Sequence, residues 1–395
     1  MKIYLKGNVY DAAIERIHRL FDEFGQNVVV CTSGGKDSTV VKELTLKVAE
    51  ERGMLPVKVM FVDQEAEYQM VIDYVRIAMA DPRVDPYWLQ VPMKMPNSLS
   101  MTQPFLNAWY PGEPWMRPQE EISIKENVYG VDTWSSGGNT IFKAFLAHHF
   151  PNEKACYIAG VRAEESPTRL AGLTTAQTYK DITWGKKLNE PKGHFTFYPI
   201  WDWNLKDVWK SIHNNGWKYS KIYDELFRYG ISPTRMRVSS LMHETAVHSL
   251  FFLQELEKET WQSLTTRLDG INQTSHIQKN ELMAIKDLPY MFKDWREYRD
   301  FLTVKMIEKK EWIKKFQKEW SKMDALYDDM VDPSVIHKAQ IKSILVCDID
   351  FVKISNFLNS APIITYREWK KGQLSNRTRS KSSMVHIPKQ HWNDK

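Results

Sequence analysis

At 395 residues, with 43% hydrophobic and 26% charged side chains, the chain is longer than an ordinary single domain and has the composition of a globular protein with a sizeable core. A formal net charge of +5 is compatible with nucleotide, phosphate or nucleic-acid partners without demanding any of them. No window holds the roughly 18 uncharged apolar residues that a membrane span needs, so no membrane partner is expected.

The three cysteines, Cys31, Cys156 and Cys347, are far apart and form neither a CxxC pair nor a disulfide framework. That pattern predicts a reducing, cytoplasmic compartment. The opening MKIYLKGNVYDAAIER lacks a sustained apolar run, so no signal peptide is expected. Fifteen tryptophans predict extensive aromatic packing.

In chain order, Ala13, Ile14, Ile17, Leu20, Phe21 and Phe24 fall at helical spacing over residues 11–24, and Gly25 ends the helix. Val28 to Cys31 is a β-branched run fit for a buried parallel strand. Ser38 to Arg52 then reads as a helix, and Val57 to Val62 as the next strand. This is a βαβ unit with a glycine-rich first turn. Residues 84–140, rich in proline, tryptophan and glycine, predict long ordered loops rather than regular elements. A helix over 141–149 and a buried strand over 155–159 follow. Asn204, with Asp207 at the third helical position, then predicts a capped helix stopped by Gly216. Beyond residue 250 the pattern is helical. The expected organisation is a nucleotide-binding domain over 1–250, a mainly helical region over 251–368, and a basic, flexible tail over 369–395.

The first turn, CTSGGKDSTVV at 31–41, is suited to an anion. A strand-to-helix turn exposes amides at a helix N-terminus, whose partial positive charge attracts phosphate. Gly34 and Gly35 allow close backbone approach, Ser33 and Ser38 offer hydroxyls, and Lys36 brings a full charge. The common P-loop needs GxxxxGK followed by Ser or Thr. Here Lys36 precedes Asp37, and Val30 stands where the first glycine belongs.

SGGKDS resembles the pyrophosphate-binding PP-loop of the adenine nucleotide alpha hydrolase superfamily, and three further segments resemble its phosphoadenosine phosphosulfate (PAPS) reductase branch. VDQEAEY, 62–68, is similar to the acidic stretch near the nucleoside, so Asp63 and Glu65 are expected to bind a metal or ribose hydroxyl, with solvated carboxylates as the alternative for Glu65 and Glu67. GVRAEESPTR, 160–169, resembles the family's G-x-R-x-x-E-S-x-x-R segment. By that likeness Gly160 admits the α-phosphate, Arg162 and Arg169 grip oxyanions, and Glu164 and Glu165 orient the arginines. YPIWDWNLKDVW, 198–209, reads as scaffold, with Asp202 and Trp203 behind the site. The resemblance implies a Rossmann-like α/β fold of the HUP type, a mostly parallel sheet flanked by helices, with an appended helical C-terminal region. The full-length pattern, including KIYDELFRYGISPTRMRVSSLMHE and TTRLDGIN, resembles PAPS-reductase-like proteins that include the immunoglobulin-binding regulator IbrA. That group often accompanies a ParB-like partner in prophages and mobile elements.

The likeness to a reductase stops at the cysteines. The ECG-type motif that attacks sulfur is missing, and GISPTRMRVSSLM contains no cysteine to hold an iron–sulfur cluster. Three further segments are decoys. In HETAVH, His243 and His248 are five apart, roughly 140° around a helix, so they share no face. WSSGGNT, 134–140, lacks a lysine and reads as a turn with Asn139 or Thr140 starting a helix. KKEWIKKFQKEW, 309–320, places Trp312, Phe316 and Trp320 in an apolar stripe with solvated lysines.

The leading expectation is an enzyme that binds ATP, or a PAPS-like adenine nucleotide, with Mg²⁺ and cleaves between the α- and β-phosphates. Lys36, Asp37 and Arg162 would be catalytic, and Asp37 and Asp63 would serve the metal. The alternative is a nucleotide-dependent regulatory module acting on DNA or with a ParB-like partner through the tail cations Lys370, Lys371, Arg377, Arg379 and Lys381.

Overall fold

The computed structural model describes residues 6–97, 103, 105–132, 140–174, 177–234, 236, 238, 240–243, 247–269, 271, 287–307, 309–346, 348–373, 384–388 and 390. Cys347, most of WSSGGNT, the centre of HETAVH and the tail cations beyond Lys371 lie outside the described residues.

The βαβ unit is α1 (Val9–Phe24), β1 (Val28–Thr32), α2 (Lys36–Glu51) and β2 (Val57–Val62), followed by α3 (Gln69–Met79) and β3 (Val84–Leu89). Two short strands, β4 (Met93–Pro96) and β5 (Phe105–Ala108), pair with each other. After α4 (Ile141–His149) come β6 (Ala155–Ala159), α5 (Pro167–Thr174), β7 (Gly185–Asn189), β8 (His194–Phe197), α6 (Leu205–Asn214), α7 (Ile222–Arg228), α8 (Val247–Leu256) and α9 (Lys258–Arg267).

The main sheet has six strands in the order β3-β2-β1-β6-β8-β7. All neighbours run parallel except β7 against β8. The α/β architecture expected from the βαβ pattern is therefore present. Val30 is completely buried, in register with Val59 of β2 and with Ile158 of β6. The sheet grows outward in both directions from β1, so the carboxyl ends of β1 and β6 form the topological switch point where open α/β sheets bind ligands. The turn after β1 and the turn after β6 both open there.

One expectation is corrected: residues 84–140 are not loop throughout, because Val84–Leu89 forms β3. Proline at 86 masked the strand. It is tolerated because β3 is the edge of the sheet, where a missing N–H leaves no neighbour unpaired. Thr140 caps α4 through the Lys143 amide, and Asn204 with Asp207 forms the capping box of α6.

The chain divides into two compact units: Met1–Met95, Leu106–Leu241 and Phe252–Arg267 form one, and Pro96–Phe105, Met242–Phe251 and Leu268–Lys395 the other. In the second unit, Phe316 and Trp320 are buried, and Trp312 packs against the same apolar cluster. The lysines of that helix stay exposed, so this stripe is core. No helix among the described residues is long and apolar enough to cross a membrane.

Candidate phosphate-binding site

The loop after β1 is shaped by its own short polar side chains. The Gly34 amide donates to Thr32 Oγ1 at 3.2 Å, the Ser33 amide to Ser38 Oγ at 3.2 Å, and Ser38 Oγ to the Gly35 carbonyl at 2.9 Å. Gly34 has a φ of +70°, and a Cβ there would stand 2.5 Å from Val71 Cγ1. Only glycine fits that turn. Gly35 is the N-cap of α2 and has no side-chain cap. Among the described residues, the amides of Gly35, Asp37 and Ser38 find no acceptor. Three unsatisfied donors at the start of a 16-residue helix form a site of positive potential.

Lys36 is buried at this point, with Nζ 2.9 Å from Asp37 Oδ2 and 5.5 Å from the centre of the Tyr223 ring. The other oxygen of Asp37 accepts from Arg162 Nε at 2.5 Å. Arg162 also reaches Glu164 Oε2 at 3.1 Å and Glu165 Oε1 at 3.9 Å, and Arg169 pairs with Glu165. The structure thus brings Ser33, Gly34, Gly35, Lys36, Asp37, Ser38, Gly160 and Arg162 together. Arg169 stands farther out, 45% exposed, and pairs with Glu165.

Gly160 has a different reason from the expected one. A Cβ there would lie 2.6 Å from the Asp37 carbonyl carbon and 2.7 Å from the Ser38 nitrogen. The group that approaches Gly160 closely is the first turn of α2, so this glycine seats the phosphate loop against β6.

Asp63 and Glu65 are also corrected. Both are completely buried. Asp63 accepts from Trp88 Nε1 at 2.9 Å, Gln90 Nε2 at 2.9 Å and the Glu65 amide at 2.9 Å, and Arg117 Nη2 meets its two oxygens at 2.6 and 2.7 Å. A carboxylate with this many donors has no lone pair left for a metal or ribose. Glu65 accepts from the Trp109 amide at 3.1 Å, the Met116 amide at 3.2 Å and Arg267 Nε at 2.8 Å. Its φ of 65° is unfavourable for a residue with a side chain and is held by this network. The tryptophan-rich stretch after β5 is therefore a clamp over the β2 turn. Asp37 meets Lys36 with one oxygen and Arg162 with the other, and two cations beside it repel a third; the side chains here do not fit a protein-held magnesium ion, and no step below runs through one.

Among the described residues, three metal-capable side chains converge only at Asp324, Asp328 and His337 of the second unit, with their ligand atoms within 4.8 Å of one another. Arg299 and Arg296 already meet Asp324 at 2.6 and 3.0 Å. Burial opposes ionisation there, but hydrogen bonds from His337 and Arg299 hold the Asp324 carboxyl well below its usual range. Two guanidinium groups repel a further cation.

Burial pushes the Glu67 carboxyl up to about 8, with Asp63 adding to the rise and Arg117 opposing it. Its ordinary value is 4.5, so between there and about 8 the folded state keeps a proton that the unfolded state has released. Stability therefore falls as pH rises through that window. Glu67→Gln, neutral at every pH, should match the parent near the bottom of the window and exceed it by about 5 kcal/mol above its top. Urea titrations across pH check this; parallel curves for the two proteins refute it.

Cys31 lies partly buried in β1 and Cys156 fully buried in β6. Burial raises both thiols above their ordinary value, which suppresses the thiolate. In native protein near neutral pH both should resist iodoacetamide for hours and react once denatured, as peptide mass spectrometry reads out. Fast native labelling of either would contradict this placement.

Sequence reasoning missed Tyr223, Arg117 and Arg267, whose partners lie 187, 54 and 202 residues away in the chain. Separations of that size leave no local pattern to read.

Residues 27–101 and 115–229 match the phosphoadenosine phosphosulfate reductase domain, and residues 230–371 match a domain of unknown function, DUF3440. The chain is 28% identical over 326 residues to the uncharacterized protein YbdN of Escherichia coli K12, covering 78% of each. It is 22% identical over 224 residues to an adenosine 5'-phosphosulfate reductase of Lysinibacillus sphaericus, covering 55% of this chain and 76% of the relative. Among solved structures, a PAPS reductase from Candida auris in a phosphate complex aligns with a TM-score of 0.29 at 15% identity, over 57% of this chain and 94% of that one. Within residues 27–229, then, the chain is similar to the phosphoadenosine phosphosulfate reductase domain and to adenosine 5'-phosphosulfate reductases.

Proposed function

We propose that the chain binds an adenosine polyphosphate with its terminal phosphates in the loop Ser33–Ser38 and transfers the adenylyl group to an acceptor. The observation that carries this is the convergence of buried Lys36 with the unpaired amides of Gly35, Asp37 and Ser38 at the β1/β6 switch point. Those donors suit the oxygens of a pyrophosphate leaving group, because amides and ammonium together meet several of them at once. An acceptor nucleophile attacks the α-phosphorus, and the bond from that phosphorus to the bridging oxygen breaks. The electron pair leaves with pyrophosphate, and the acceptor's proton passes to solvent. The protein's part is positional and electrostatic: Lys36 faces the developing charge, and Arg162 holds Asp37 so that Lys36 stays on the loop. The match to a reductase domain and to sulfonucleotide reductases supports an adenine nucleotide as the ligand.

Incubation with ATP labelled separately at the α- and γ-phosphates tests this reading. It requires labelled pyrophosphate together with AMP or an adenylylated product. ADP with orthophosphate, or no binding of ATP or PAPS by calorimetry, refutes it. The regulatory reading gains no support from the described part of the tail, because the Lys370 ammonium is held by Asp329 at 2.7 Å and by the Leu326 carbonyl at 2.9 Å.

A further inference from the structure

Helix α7 sends one side chain into the phosphate loop. The hydroxyl oxygen of Tyr223 accepts from the Lys36 amide at 3.0 Å. It also stands 3.3 Å from where a Cβ on Gly35 would be, the same distance as Ser33 Oγ. Gly35 is therefore glycine partly because these two hydroxyls share its outer face. The phenol is 3% exposed and is packed edge-on by Trp209, 5.3 Å between ring centres.

This hydroxyl has half of its hydrogen bonding fulfilled. It accepts from Lys36, but its own proton finds no acceptor among the described residues. Burial, reinforced by the Asp37 charge and opposed by the Lys36 hydrogen bond, raises the phenol above its ordinary value, so the proton stays on oxygen at neutral pH. A buried O–H without an acceptor is costly unless something else meets it. Around it stand three unpaired amides and an ammonium, and the Asp37 carboxylate is already engaged by Lys36 and Arg162, so an oxyanion suits the missing partner.

We propose that Tyr223 is a phosphate-binding residue: it takes the Lys36 amide out of the set of free donors and gives the ligand a neutral O–H in its place. The proposal rests on the nucleotide reading above and names a contact that reading does not need. With Tyr223 in place the cradle consists of the Gly35, Asp37 and Ser38 amides, the Lys36 ammonium and one phenolic hydroxyl from α7.

Calorimetry with inorganic pyrophosphate and with α,β-methylene-ATP, alongside thermal unfolding, tests this on the full chain. Tyr223→Phe keeps the ring and removes the hydroxyl. It should weaken both ligands about tenfold, the loss expected for one hydrogen bond to a charged group, with little change in melting temperature. Placing 3,5-difluorotyrosine at 223 keeps the hydroxyl but makes it more acidic. Affinity should then fall as the more acidic phenol ionises, at a pH where the parent still binds fully, a profile that a merely structural tyrosine would not produce. If the parent binds these ligands and both variants bind as the parent does, at every pH, Tyr223 only braces the loop and the proposal is wrong while the nucleotide reading stands. If the parent binds neither ligand, both are overturned. Should the phenylalanine variant fail to fold, the difluorotyrosine profile decides alone.

Discussion

Lys36→Ala should lower pyrophosphate release from ATP by about a hundred- to a thousandfold, or roughly 2.7–4 kcal/mol of transition-state stabilisation. The size follows from where the ammonium sits. Buried beside Asp37 and over the Tyr223 ring, it acts in a medium that screens charge far less than water. Charge builds on the leaving pyrophosphate as the bond to the α-phosphorus stretches, so the loss should fall mainly on kcat. The fold should be little affected, because Asp37 keeps its bond to Arg162 Nε at 2.5 Å when Lys36 is gone. Single-turnover measurements of labelled pyrophosphate, with circular dichroism as the folding control, check this. A variant that releases pyrophosphate within about threefold of the parent would remove the lysine from the mechanism.

The largest expected loss of stability is at Arg267. Its Nε meets Glu65 Oε1 at 2.8 Å, Nη1 meets Glu113 Oε2 at 2.8 Å, and Nη2 donates to the Asn107 carbonyl at 2.9 Å. Arg267→Ala leaves the completely buried Glu65 carboxylate with two backbone amides and no counter-charge. Removing one partner of a buried ion pair costs about 3–5 kcal/mol. The urea midpoint should drop by that amount divided by the slope, with the slope unchanged. In Arg267→Met combined with Glu65→Gln, neither buried charge remains, so much of the loss should return. A single-variant loss under about 1 kcal/mol would mean that the pair is solvated and of little consequence.

The two experiments probe different layers of one region. Lys36 was legible from SGGKDS because the motif is contiguous and a helix start is a local property. Arg162 was singled out only through the likeness of GVRAEESPTR to a family segment. Its bond to Asp37 was not legible, because it joins residues 125 positions apart. Asp63 and Glu65 show the limit most clearly. A carboxylate after a parallel strand reads alike whether it faces a ligand or an arginine. The difference lies in Arg117 and Arg267, brought in by a loop and by a helix remote in sequence.

Local pattern was enough for the order of the βαβ unit, the glycine-rich turn, the caps of α4 and α6, and the apolar stripe of the helix Lys310–Tyr327. Each of these depends on neighbours within a few residues, through backbone dihedrals or helical period. Long-range packing settled that Gly160 lies against the first turn of α2, that arginines close the acidic turn, and that a tyrosine from α7 bonds the loop after β1. Those outcomes depend on which groups burial forces together. A buried charge or hydroxyl must find a partner wherever the fold supplies one, and sequence separation places no restriction on which residue that is.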